Sequence, residues 1–113
     1  MIRLAEKIID RDDINRLKEW LDTSDRYTKG LQTEMFEREW SEWVGCKHSV
    51  FVNSGSSANL LIVMSLLYSG RLKNNKVIVP AVSWATTVAP VIQLGMEPLL
   101  CDADEEDLGL CVA

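Results

Sequence analysis

Apolar positions change their spacing several times along the chain, and each change marks an element. Between Met1 and Leu21 charged and apolar residues interleave, and Ile14, Leu17, Trp20 and Leu21 recur at helical spacing. This predicts one or two short helices, with Asp12 or Asp13 as a cap. Asp22 to Gly30 is polar and reads as a loop, with Arg26 to Gly30 either an exposed turn or a ligand contact. Phe36, Trp40, Trp43 and Val44 form the stripe of a second helix, capped by Thr33 and ended by Gly45. Glu34 and Glu37 sit in its first turn, where the helix dipole favours acids. Tryptophans at that spacing are expected to be core.

The apolar runs then shorten. Val50-Phe51-Val52 predicts a strand, Asn53 to Ser57 a polar turn, and the block from Ala58 a helix. That helix carries Leu60, Leu61, Ile62, Val63, Met64, Leu66 and Leu67, so it asks for burial on nearly every side. Ser69-Gly70 and Arg71 to Lys76 turn the chain into a second strand, Val77 to Pro80. The loop Ala81 to Trp84 leads to a helix over roughly Ala85 to Leu94, closed by Gly95, where Pro90 predicts a late first turn or a kink. Pro98 to Cys101 is a third strand. Strand, helix, strand, helix, strand predicts an α/β fold with a mostly parallel sheet and helical crossovers.

Parallel sheets bind ligands beyond the carboxyl ends of their strands, so the turns after Val52 and Val79 are expected on one rim. Where Ser54 to Ser57 meets its helix, backbone N–H groups without intrahelical partners and the helix dipole favour an anion. Gly55 permits close backbone approach, and Ser56 and Ser57 add hydroxyls without bulk. Two readings stand side by side: plain capping of the helix, and a cradle for one phosphate. A P-loop does not fit, because no Gly-Lys-Ser/Thr follows Gly55, and the further glycines of a Rossmann turn are absent. Trp84 on the same rim adds an indole. A flat, phosphorylated aromatic cofactor, with its ring on Trp84 and its phosphate on Gly55, Ser56 and Ser57, satisfies both features, and pyridoxal phosphate fits that description.

Composition narrows the classes further. The 113 residues suit one domain of ordinary size. The net charge of −5 is accounted for by Asp102, Asp104, Glu105, Glu106 and Asp107, which leaves no basic face for nucleic acid. In an EF-hand loop the sixth position is glycine; here it is Asp107, so the acidic run reads as a solvated turn. Cys46, Cys101 and Cys111 are odd in number and lack CxxC spacing, which argues against a disulfide framework and a zinc site and for a reducing cytoplasm. The apolar block after Ala58 is shorter than the ~20 residues a bilayer requires, and the amino-terminal stretch lacks the core of a secretory signal. His48 has no acid or nucleophile beside it in sequence, so it is not taken as catalytic.

Two segments, GLQTEMFEREWSEWVGCKHSVFVNSGSSANLL and VIVPAVSWATTVAPVIQLGMEPLLCDAD, resemble the amino-terminal part of the DegT/DnrJ/StrS family of nucleotide-sugar aminotransferases, pyridoxal phosphate enzymes of fold type I. The features coincide in order: Gly30 followed by Phe36-Glu37, the Ser-Gly-Ser-Ser-Ala turn, the strand ending in Pro80, Trp84 four residues later, and the strand from Gly95 through Pro98 to Asp102. The resemblance implies residues 1–30 as an amino-terminal helical segment and loop and 31–113 as part of the large cofactor domain. It implies Gly55, Ser56 and Ser57 around the cofactor phosphate, Trp84 on the pyridine ring, and a homodimer or companion chain. In such an enzyme glutamate gives its amino group to a keto sugar nucleotide. The lysine that holds the cofactor covalently, and the aspartate that pairs with the pyridine nitrogen, lie downstream of the matched segments. Lys7, Lys18, Lys29, Lys47, Lys73 and Lys76 all fall outside the matched lysine position, so the 113 residues alone are expected to be inactive. The wording NSGSSANLL and TTVAPVIQLG is also similar to the sugar 3-dehydratases of the same superfamily, which use pyridoxamine phosphate and carry histidine instead of that lysine. A non-catalytic remnant or interaction module is the reading from a different class.

Overall fold

The computed structural model describes residues 8–111; the expected helical character of residues 1–7 lies outside them. The chain divides into two compact units, Met1–Phe51 and Val52–Ala113.

The first unit is helical. Helix α1 (Arg11–Thr23) is capped by Asp10, upstream of the expected Asp12 or Asp13. The Asp10 carboxylate accepts from the N–H groups of Asp12 and Asp13, and Asp13 accepts in return from the Asp10 N–H. This reciprocal pairing satisfies more end donors than a cap at Asp12 could, so the helix starts earlier. The following loop folds back on α1. Tyr27 packs edge-on against Trp20, and its hydroxyl donates to the Leu21 carbonyl at 2.7 Å. Arg26 donates to Thr28 within the same turn, so Arg26 and Thr28 brace the loop.

Helix α2 (Leu31–Val44) starts from Gly30 instead of Thr33 and stops, as the sequence predicts, at Gly45 in the left-handed region with φ 77°. Phe36 stacks on Trp40 and meets Phe51 edge-on, and Trp40 packs against Trp43. The expected tryptophan core is not formed among the described residues: Trp40 is 46% and Trp43 78% exposed, because the aromatic rings cover one another and no further layer lies over them.

Glu37 is the polar anchor of this unit. Its Oε1 accepts from Lys29 Nζ and from the Phe51 N–H, each at 2.8 Å. The lysine bond first, and the backbone bond second, hold its carboxyl below the ordinary carboxylate range. A depressed folded-state pKa contributes stability that is present above the unfolded value and fades as pH falls through the folded one. Glu37→Gln retains an acceptor for Phe51 but loses the ion pair. It is expected to flatten the loss of stability as pH falls below the ordinary glutamate value of 4.5, measured by urea unfolding across the acid range. An unchanged acid limb would contradict this role.

The second unit is α/β. Val50 to Val52 is not a strand, which corrects the first expected strand; a strand needs a ladder partner, and these three residues have none among the described residues. Helix α3 (Gly55–Tyr68) begins three residues before the expected Ala58. Strand β1 (Lys76–Pro80), helix α4 (Ala85–Gln93) and strand β2 (Glu97–Cys101) follow where the sequence puts them. β1 and β2 pair in parallel, Lys76 opposite Glu97 through Pro80 opposite Cys101, with α4 as the crossover. The fold is thus α/β with a small parallel sheet, two-stranded among the described residues.

One face of the β-pair is covered. Val79 and Val91 are almost fully buried with Met96, and Val63, Leu67, Val77, Val88 and Leu94 pack around them. The other face carries Ile78 and its register partner Leu99 and is open, with Ile78 63% and Leu99 38% exposed. Alternation along β1 explains the contrast, since neighbouring side chains point to opposite faces. Helix α3 is likewise covered on the side that meets α4, whereas Leu61, Ile62, Met64 and Leu66 are exposed, so the all-round burial expected of it is not realised among the described residues. Beyond β2, Ala103 bridges Leu110 and the Asp104 carboxylate accepts from the N–H groups of Glu106 and Asp107. The acidic run is therefore a self-braced turn, as its sequence suggests.

Candidate functional site

The turn before α3 is built from short polar side chains that compete for the same backbone donors. Ser54 wins the cap: its extended backbone precedes the helix and its hydroxyl oxygen accepts from the Ser57 N–H at 3.2 Å. The Ala58 N–H donates to the Ser54 carbonyl at 3.0 Å. The Ser57 hydroxyl donates to Asn53 Oδ1 at 2.6 Å. The capping reading of this turn is realised at Ser54. Ser57 belongs to the cap, while Gly55 and Ser56 lead the helix, and their N–H groups have no hydrogen-bond acceptor among the described residues. These are the positions from which first-turn donors point outward.

Gly55 needs no left-handed backbone, and a methyl group built on it meets nothing within 4 Å. Neither conformation nor packing within the described residues calls for glycine here. Open space in front of two unpaired donors suits a group that approaches the backbone closely.

Trp84 opens α4 as its N-cap residue and is 77% exposed, so its indole is not core. The starts of the two helices are tied by one bond: the Asn59 side-chain amide donates to the Thr86 carbonyl at 3.1 Å. Asn59 follows Gly55 by four residues and Thr86 follows Trp84 by two, so each helix start lies within about one turn, ~5–6 Å, of this bond. Between the helices runs a groove of about 260 Å³, lined on α3 by Ser56, Ser57 and Leu60 and on α4 by Thr86, Ala89, Pro90 and Gln93. No lysine, histidine or carboxylate lines it, and no metal-holding cluster of His, Cys, Asp or Glu occurs among the described residues. The arrangement offers backbone and hydroxyl donors to an anion at the start of α3, and an exposed indole at the start of α4.

Asn59, Thr86 and Pro90 escaped the sequence reading as partners. One signal was available: a proline inside a helix leaves a carbonyl four residues earlier without its usual donor.

The model of the DegT/DnrJ/EryC1/StrS aminotransferase family matches residues 7–113. The chain belongs to this family. It is 36% identical over 110 residues to a GDP-4-keto-6-deoxy-D-mannose 3-dehydratase of Yersinia pseudotuberculosis, covering 95% of this chain and 28% of that protein. Among solved structures it resembles the E. coli GDP-4-keto-6-deoxy-D-mannose-3-dehydratase with bound hydrated PLP, with a TM-score of 0.84, 32% identity, and coverage of 96% of this chain and 28% of that one. It also resembles Helicobacter pylori PseC, an aminotransferase involved in the biosynthesis of pseudoaminic acid, with a TM-score of 0.75, 26% identity, and coverage of 88% and 26%. The family resemblance and the fold-type-I architecture read from the sequence are therefore both upheld. The chain spans a little over a quarter of the length of these relatives. No helix among the described residues is long and apolar enough to cross a membrane.

Proposed function

We propose that this segment supplies the phosphate-holding half of the cofactor site of a vitamin B6-dependent nucleotide-sugar enzyme, and that its reaction is the 3-dehydration of a 4-keto-6-deoxy sugar nucleotide. The observation that carries the half-site is the open space before Gly55, faced by the unpaired N–H groups of Gly55 and Ser56. Pyridoxamine or pyridoxal phosphate, when bound, supplies an electron sink next to the sugar carbon that reacts.

The chain's own residues bind and orient. Gly55 and Ser56 donate backbone N–H groups to the phosphate at the positive end of α3, and the Ser56 hydroxyl adds a third donor. Ser57 contributes less, because its hydroxyl must first release Asn53, which exchanges one bond for another. The exposed Trp84 offers its face to the pyridine ring. No lysine lines the groove, so the 113 residues by themselves hold the phosphate end without turnover. Catalysis then requires a further segment or companion chain, and the homodimer implied by the family resemblance is part of the same proposal. The open apolar face of Ile78 and Leu99 is compatible with such a cover.

The choice of dehydration is supported by the greater likeness to the E. coli dehydratase, 32% identical over 96% of this chain, than to the aminotransferase PseC, 26% over 88%. The aminotransferase reading stands second, supported by the family as a whole. The test is product analysis of protein expressed together with its downstream coding sequence, given pyridoxamine phosphate, glutamate and GDP-4-keto-6-deoxymannose. The expected product has hydrogen in place of the C3 hydroxyl and keeps its C4 ketone. A 4-amino sugar retaining the C3 hydroxyl would overturn dehydration in favour of amino transfer, and failure to form either would overturn both.

A further inference from the structure

Pro90 lies inside α4 and has no N–H, so the Thr86 carbonyl, four residues before it, loses its regular helical donor. Pro90 is also buried, and the Thr86 carbonyl lies at a half-buried site where an unpaired acceptor is costly. The substitute comes from the neighbouring helix: Asn59 Nδ2 donates to the Thr86 oxygen at 3.1 Å. Neither α3 nor α4 completes this arrangement alone. We propose that Asn59 is a positioning residue whose amide replaces the missing proline N–H and thereby fixes the distance between the Gly55–Ser56 donors and Trp84.

This inference rests on the cofactor reading above, but the hydrogen bond makes a separate prediction. A carbonyl left unpaired at a half-buried site costs stability, whichever ligand the helices serve. A carbonyl given back its own helical donor does not need Asn59. Restoring that donor by Pro90→Ala therefore repairs α4 without restoring the tie to α3, so folding and ligand binding separate.

The experiment compares the wild-type chain, Asn59→Leu, Pro90→Ala and the double variant by urea unfolding without ligand and by calorimetric titration with pyridoxamine phosphate. Asn59→Leu is expected to lower the folding equilibrium constant about tenfold, and Pro90→Ala in the same chain to recover most of it. Affinity for pyridoxamine phosphate is expected to fall about tenfold in Asn59→Leu and to stay low in the double variant, because two helices no longer tied hold donor and ring at variable spacing. If affinity recovers together with stability, Asn59 is structural only and the positioning role is overturned. If Pro90→Ala recovers neither, the replacement of the proline N–H is overturned. If the wild-type chain does not bind pyridoxamine phosphate while the stability cycle behaves as expected, the cofactor reading falls and takes the positioning role with it, and the interhelical bond stands.

Discussion

Replacing Gly55 with aspartate is expected to weaken binding of pyridoxamine phosphate by at least about 100-fold while leaving the ligand-free chain as stable as before, or more so. The two effects have opposite signs because they act on the same charge. An acid in the first turn of α3 is favoured by the helix dipole, by about 0.3–1 kcal/mol. A phosphate entering the same space meets that carboxylate as a like charge and loses its hydrogen bonds to the Gly55 and Ser56 N–H groups. Each bond to a charged group contributes about 1.5–3 kcal/mol, so two of them account for a hundredfold or more. The new side chain has room, since even a methyl on Gly55 meets nothing within 4 Å. Gly55→Ala serves as the control: it gains helix propensity and costs much less affinity than the aspartate. Calorimetric titration and urea unfolding measure the two effects separately. Unchanged affinity in Gly55→Asp would show that the turn is a helix cap and nothing more, and a collapse of stability would show that Gly55 is required for folding.

What could be read from the sequence was local. β1, α4 and the stop at Gly45 follow from short-range pattern and from residues that punctuate it, and the structure forms them where that pattern says. The start of α3 was harder, because Asn53, Ser54, Ser56 and Ser57 are all competent caps and only their geometry picks Ser54. Val50 to Val52 has strand composition, yet a strand exists only with a partner, and partners are not local. The same reason explains the exposed Trp40 and Trp43 and the open side of α3: hydrophobic spacing states which face wants cover, not whether cover is present. Residue type and position after strand-like runs point to Gly55, Ser56, Ser57 and Trp84 as the candidate site. The Asn59–Thr86 bond, which ties their two helices, joins residues far apart in sequence and becomes visible only once α3 lies against α4.

Trp84 reports most directly on the ligand side of the account. Its indole is 77% exposed and opens α4, so its removal leaves the core around Val79 and Val91 intact. Stacking of a pyridine ring on it contributes about 0.5–1.5 kcal/mol, which is smaller than the phosphate term but carries the optical signal. Loss of the phosphate removes the charged hydrogen bonds at Gly55 and Ser56 while leaving the ring, and the expected drop is again about 100-fold or more. The chain has four tryptophans. With Trp20, Trp40 and Trp43 replaced by phenylalanine, fluorescence isolates Trp84. The decisive measurement is its quenching during parallel titrations with pyridoxamine phosphate and with pyridoxamine. Saturable quenching by the phosphorylated ligand, with the unphosphorylated one needing a concentration at least about 100-fold higher, is the predicted result; equal concentrations for both, or no quenching by either, would contradict the account.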